Sequence, residues 1–177
     1  MVSLESFIGK LDAVVRSNEG AGAIVQAVHP LLAELIADAS QLPATPLAGT
    51  RPAAHLLGKG DGWSVVLVVF PAYATTPVHD HLTWGLVGVV SGCEVETPYS
   101  AVDGVLRPLE PIRNEPGAIS HVVPPDQEIH SIFNPLDRPS ISIHVYGADL
   151  ADLPRHWYDV SANKVYDYRS AYAGEGS

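Results

Sequence analysis

The chain has 177 residues, 46% of them hydrophobic and 17% charged, with a formal net charge of −10. It is long and apolar enough for one domain with a real core and too apolar for a disordered segment, and its acidity argues against nucleic acid or anionic membrane as a partner. Its single cysteine, Cys93, excludes an internal disulfide framework and a cysteine-rich zinc site.

The first residues, Met1 to Phe7, carry Glu5 and lack a basic segment followed by an apolar run, so no signal peptide is expected. No apolar stretch approaches the roughly 20 residues that span a bilayer. A cytoplasmic, reducing location is the expectation. Leu4, Phe7, Ile8, Leu11 and Val15 recur at helical spacing and predict an amphipathic helix. Ser17 to Gly20 interrupt it, and Ile24, Val25 and Val28 continue an apolar stripe. Pro30 is expected to open a further helix at its first position, with Leu31, Leu32, Leu35 and Ile36 on the buried face. The proline-containing stretch 41–52 reads as a connecting loop.

From residue 53 short β-branched runs alternate with Gly, Pro, Asn and Asp. Strands are predicted over 64–70, 84–90, 93–99, 105–109, 119–123, 129–133 and 141–146, with a hairpin turn at Asp103-Gly104. No helical pattern separates them, so the expected fold is mainly β, a sandwich or barrel. The expected organisation is a single domain over 1–177, with a helical cover at 1–40 and a barrel at 53–170. In the strand 141–146, Ser142, His144 and Tyr146 share one face and Ile141, Ile143 and Val145 the other. Both faces read as buried, and the N-terminal helices are the available cover for the apolar one.

His79, His81 and His130 carry the chemistry. Side chains at i and i+2 of a strand point the same way, so His79 and His81 aim into one space, where His130 can join them. Imidazole suits Fe, Zn, Cu and Ni, and three protein ligands leave open the positions that a catalytic site needs. Gly85 and Leu86, four and five residues after His81, supply no carboxylate. An all-histidine set leaves a divalent ion at its full charge and favours anionic substrate ligands. Glu128, two residues before His130, is a candidate fourth ligand. Ser142, His144 and Tyr146 read as a hydrogen-bonding relay beside the metal.

Three blocks carry a family resemblance: Thr76-Pro77-Val78-His79-Asp80-His81-Leu82-Thr83-Trp84-Gly85, Glu128-Ile129-His130-Ser131-Ile132-Phe133-Asn134, and Ser142-Ile143-His144-Val145-Tyr146-Gly147. They resemble the cupins, and within them the cysteine dioxygenase-type thiol dioxygenases. The bacterial branch that oxidises 3-mercaptopropionate is the most similar, sharing the His-Asp-His-x-x-Trp-Gly wording. The resemblance implies a cupin jelly-roll with the N-terminal helices packed outside. It implies Fe(II) held by His79, His81 and His130, with both atoms of O2 transferred to the sulfur of a small thiol to give a sulfinate. Ser142, His144 and Tyr146 would be the relay, and Arg155 would hold the tyrosine oxygen or a substrate carboxylate.

Two departures stand out. Gly85 occupies the position where mammalian-type enzymes have a cysteine cross-linked to the tyrosine, so no cross-link is expected. The family's early-strand Arg or Gln, which anchors the substrate carboxylate, corresponds to Ala54 or His55. His55 or Arg51 is the expected substitute, and a larger thiol acid than 3-mercaptopropionate fits the smaller residue. Trp84 is a candidate substrate contact. His29, His121 and His156 read as capping, partly buried and structural residues. The expected partners are a small-molecule thiol and O2, with no nucleic acid and no membrane, for a monomer or small homo-oligomer. The competing enzyme class is a metal-dependent cupin lyase or isomerase acting on a small carboxylic acid without O2, with Tyr146 or His144 as base. A non-catalytic cupin that binds a small ligand is the third.

Overall fold

The computed structural model describes residues 2–18, 20–38, 40, 42–43, 49–125 and 128–173. Helix α1, Leu4–Ser17, begins where the Ser3 hydroxyl accepts the Ser6 N–H at 3.1 Å, satisfying one of the orphan donors of the first turn. Phe7 and Leu11, one turn apart, are fully buried. Helix α2 runs Ala21–Ile36 without a break. The helix expected to start at Pro30 is therefore the second half of α2. Pro30 and Gln26, four residues before it, both face solvent, where water can serve the carbonyl that loses its partner. Half of the predicted loop 41–52 (residues 41 and 44–48) lies outside the described residues.

Among the described residues twelve strands follow: β1 Ala53–Gly60, β2 Trp63–Phe70, β3 Val78–His79, β4 Gly85–Ser91, β5 Glu94–Val102, β6 Val105–Pro108, β7 Ile112–Asn114, β8 Ile119–Val122, β9 His130–Phe133, β10 Ser140–Tyr146, β11 Arg155–Asp159 and β12 Lys164–Tyr168. One antiparallel sheet has the order β1-β2-β10-β4-β8. The other has β12-β11-β3-β9-β5-β6, with β7 beside β5. Sequence neighbours are repeatedly separated in space, as in a jelly-roll, and the expected architecture is the observed one. The β5–β6 turn has positive φ at both Asp103 (51°) and Gly104 (75°), the mirror-image turn that matches strand twist.

The first sheet is buried on both faces. Val65, Leu67, Val69, Ile143 and Val145 pack outward against Phe7, Leu11, Val25, Val28, Leu32 and Leu35 of the helices. Val66, Val68 and Phe70 point inward toward Ile132 of the second sheet. Each such side chain contributes about 1.5–3 kcal/mol by leaving water, so the helices fix the position of β2 and β10. No helix among the described residues is long and apolar enough to cross a membrane.

Candidate metal centre

His79 ends β3 and lies directly opposite His130, the first residue of β9. His81 follows two residues after His79. One nitrogen from each of the three rings lies within 4.8 Å of the other two. The second nitrogen of each ring is tied outward. His79 Nδ1 is 2.9 Å from the Pro77 carbonyl, His81 Nδ1 3.0 Å from the Glu128 carbonyl, and His130 Nδ1 2.7 Å from Glu96 Oε1. A carbonyl only accepts, so Nδ1 of His79 and His81 carries the hydrogen and Nε2 keeps its lone pair for the shared space. Glu96 is mostly buried, which opposes its charge. Its bonds with His130, Ser120 and Asn114 outweigh that and hold its pKa below the ordinary value. It is the carboxylate behind a ligand imidazole that fixes the tautomer and strengthens the donor.

Burial first, and the His130 charge second, lower the His79 pKa to about 3 and take His81 well below its ordinary value. Both imidazoles are thus neutral and able to ligate across the physiological range. The set fits a catalytic divalent metal: three convergent nitrogens, outer bonds in place, and an open side facing a cavity.

Asp80, between the two ligands, is 2% exposed and faces away from them. It accepts the His156 N–H at 2.8 Å, His156 Nδ1 at 2.7 Å and the Tyr158 hydroxyl at 2.8 Å. It therefore nails β11 to the metal turn, and His156 is structural as expected. Glu128 is not aimed at the metal space: its Oε2 accepts the Leu82 N–H at 2.7 Å. That bond holds Leu82 in the left-handed region, φ 54°, that the turn after His81 requires.

The open side of the site is a cavity of about 580 Å³. His144, Tyr146 and Arg155 line it beside the three ligands, with Arg51 and Ala54 in the wall. The expected Ser142-His144-Tyr146 chain is formed. Ser142 Oγ lies 2.8 Å from His144 Nε2, and His144 Nδ1 2.7 Å from the Tyr146 hydroxyl. Burial lowers the His144 pKa to about 3 and raises that of Tyr146. The Tyr146 ring lies over His81, centroids 5.3 Å apart and 23° from parallel.

Arg155 is 3% exposed and reaches the cavity, but not as a partner of the Tyr146 hydroxyl, which is engaged with His144. Its Nη1 donates to the Asp80 carbonyl at 3.0 Å, Nη2 donates to Ser170, and buried Nε has no partner.

Two expected substrate contacts lie elsewhere. His55 is opposite Leu67, whose side chain faces the helices, whereas Ala54 is opposite Val68, which lines the cavity. Successive strand residues alternate faces, so His55 is turned away from the site. Trp84 belongs to the helix-facing core and packs on Gly147, where an added Cβ would sit 2.3 Å from its Nε1. Cys93 is buried and free, outside the cavity lining.

Glu94, Glu96 and Asp80 were not singled out by the sequence, nor was Tyr172, a cavity-wall residue beyond the expected barrel end. The available signal was Glu94-Val95-Glu96: two charges two residues apart on a strand share a face, and both are buried.

No protein-family profile matches the chain. Solved structures that superpose on it include oxalate oxidase in complex with the substrate analogue glycolate, at 17% identity and TM-score 0.49 over 60% of this chain and 56% of that one. A cupin superfamily protein from Desulfitobacterium hafniense DCB-2 aligns at 17% identity and TM-score 0.45, over 63% and 87%. An RmlC-like cupin with a double-stranded β-helix fold from Methanocaldococcus jannaschii aligns at 16% and 0.46, over 60% and 88%. The chain thus spans little more than half the length of the oxalate oxidase it matches.

Proposed function

We propose that the chain is a cytoplasmic Fe(II)-dependent thiol dioxygenase. It would convert a small thiol carboxylic acid, 3-mercaptopropionate or a larger analogue, and one O2 to the sulfinic acid. Both oxygen atoms join sulfur, the four electrons come from the thiol sulfur, and no external reductant is consumed. The observation that carries this reading is the convergence of three outward-anchored imidazoles and the Tyr146–His144–Ser142 chain on one cavity.

Bound iron would supply the open positions where a thiolate and O2 meet. His79, His81 and His130 would hold it. Tyr146, too weak an acid to ionise at neutral pH, holds its hydroxyl against His144 at the cavity wall, in reach of a substrate carboxylate or a reacting oxygen. His144 and Ser142 keep that hydroxyl in place. Arg155 offers an unpartnered buried N–H to a carboxylate. Among the described residues the cavity wall holds Arg51 and Arg155 and no carboxylate, which suits an anionic substrate, and Ala54 leaves room for a larger body than a three-carbon acid.

The test is O2 uptake by the Fe(II)-reconstituted protein with 3-mercaptopropionate, cysteine, cysteamine, mercaptosuccinate and bulkier thiol acids, with mass spectrometry of the products. A product two oxygen atoms heavier is expected. Iron-loaded protein that consumes no O2 with any of these thiols, yet turns over a carboxylic acid anaerobically, would establish the lyase or isomerase reading instead.

A further inference from the structure

The relay does not end at Ser142. Glu94, on β5 of the opposite sheet, is 1% exposed and lies against β10 at Ser140 and Ser142. Its Oε1 is 3.1 Å from Ser140 Oγ, and Ser142 stands close enough to ease its charge without a fully formed hydrogen bond. Its Oε2 is buried without a partner. Gly92 makes the approach possible: at φ 84°, a Cβ there would meet Ser140 Cα at 2.6 Å. We infer that Glu94 is the terminal positioning residue of the relay, and that the presence or absence of its proton decides whether Tyr146 offers the cavity a hydrogen-bond donor or an acceptor. The inference concerns the same site as the proposed reaction and rests on that reading only for its consequence in turnover.

The number of hydrogens available along the chain sets the direction of each bond. His144 is neutral and carries one ring hydrogen. When Glu94 is ionised it can only accept, so Ser142 O–H turns to it. Ser142 Oγ then accepts from His144 Nε2–H. His144 Nδ1 is left as an acceptor and takes the Tyr146 hydrogen, so the tyrosine oxygen faces the cavity with lone pairs. When Glu94 is protonated every bond reverses. Its O–H donates to Ser140, Ser142 is no longer drawn to a charged acceptor and donates to His144 Nε2, and His144 Nδ1–H donates to the tyrosine oxygen. The Tyr146 O–H is then free for a substrate carboxylate or a reacting oxygen. No atom moves far and no charge is created on His144 or Tyr146.

Ser140 favours the protonated state. Its one hydroxyl hydrogen faces two acceptors, the Ser91 carbonyl at 3.0 Å and Glu94 Oε1 at 3.1 Å. A carbonyl cannot donate, so both contacts are satisfied only if Glu94 supplies the second hydrogen. The groups acting on Glu94 agree. Burial, with a smaller push from the charge of nearby Glu96, raises its pKa to about 7 against the opposing Ser142 and Ser140 hydroxyls. Across the sheet, Tyr146 is the titratable group that feels Glu94, and it is neutral in this range.

The test is nitrogen NMR of His144 in the Zn(II)-loaded protein across pH 5 to 9, for wild type, Glu94→Gln and Ser142→Ala. In wild type the hydrogen is expected on Nδ1 at low pH and to pass to Nε2 with a midpoint near 7. Glu94→Gln should hold one tautomer across the range. Ser142→Ala, which keeps Glu94 but cuts its link, should also abolish the change. A wild-type tautomer that is constant with pH, or a swing that survives in either variant, overturns the inference. Should Glu94→Gln fail to fold, Ser142→Ala decides alone. The readout needs no substrate, so a tautomer swing without thiol oxidation would sink the proposed reaction and leave this inference standing.

Discussion

Gly85 is paired with Tyr146 across β4 and β10. Replacing it by Ala would place a methyl group 2.7 Å from Tyr146 Cδ1, 3.0 Å from Cε1 and 3.3 Å from the Val145 carbonyl oxygen. Ordinary contact begins near 3.4 Å, so the ring must give way by about 0.7 Å or the strands must part. The ring cannot slide freely, because His81 lies on its face and His144 holds its hydroxyl at 2.7 Å. A shift of that size takes the bond beyond the normal hydroxyl range. Overpacking should cost about 1–3 kcal/mol of stability. A displacement approaching 1 Å in a group that positions substrate should lower kcat by roughly 10–100-fold. His79 and His130 sit on β3 and β9, and His81, in the turn before β4, is held by its bond to the Glu128 carbonyl, so metal affinity should change by no more than about twofold, well short of what loss of a ligand's outer partner brings. The assays are O2 uptake at saturating thiol and chelator competition on the same preparation. A Gly85→Ala protein with wild-type kcat would refute the claim that the position of Tyr146 limits turnover. Equal losses in kcat and metal affinity would refute the claim that relay and ligands can be perturbed separately.

Glu96→Ala removes the acceptor of His130 Nδ1 and should weaken metal binding by about 10–100-fold, read by chelator competition; unchanged affinity would mean that His130 is oriented by something else. Asp80→Ala strips the His156 N–H, His156 Nδ1 and Tyr158 hydroxyl of their acceptor and should cost about 3 kcal/mol in urea denaturation, with a loss below about 1 kcal/mol contradicting its role as the pin of β11. Acid should destabilise the metal-free protein. His79, His81 and His144 have folded pKa values far below their ordinary 6.5, so their contribution is complete above that pH and is lost as pH falls toward about 3. Glu94 opposes this, because its raised pKa lets the folded protein take up a proton between about 7 and its ordinary 4.5. Three imidazoles against one carboxyl leave a net loss of up to about 3 kcal/mol per pH unit between 6.5 and 4.5, and a flat profile there would contradict their neutrality.

The sequence exposed those parts of the molecule that obey a period. β2, β4 and β10 read correctly because their runs are β-branched and buried, and the inward histidines followed from strand alternation. β1, β7, β11 and β12 did not. β1 is small and polar, with its pairing shifted between Leu56 and Gly58, and β12 is exposed along its whole length. Such strands are held by ladder bonds to a neighbour, which leave no hydrophobic pattern. The choice between Ala54 and His55 shows the limit at the site. One residue of register separates a cavity wall from a helix-facing side chain, and only the pairing with β2 decides it. Two of the ligands' outer partners, Glu128 behind His81 and Glu96 behind His130, come from segments far along the chain whose relation to those histidines exists only after folding.

The charges around the cavity narrow the substrate further. A ligand set made only of imidazoles brings no negative charge, so a divalent ion would keep its full charge, and Arg155 and Arg51 add to it from the wall. Glu96, a counter-charge, stands behind His130 and outside the cavity lining. A cavity of this sign is best neutralised by a substrate that brings both a thiolate and a carboxylate, and it repels an ammonium group. Cysteamine, which has the thiol but carries a cation where 3-mercaptopropionate carries an anion, should therefore have a kcat/KM lower by at least about 100-fold, since like charges in contact cost several kcal/mol. Cysteine, with both groups, should fall between them. Comparable kcat/KM for cysteamine and 3-mercaptopropionate would show that the guanidinium groups do not face the substrate, and Arg155 would then be a structural tie between Asp80 and Ser170.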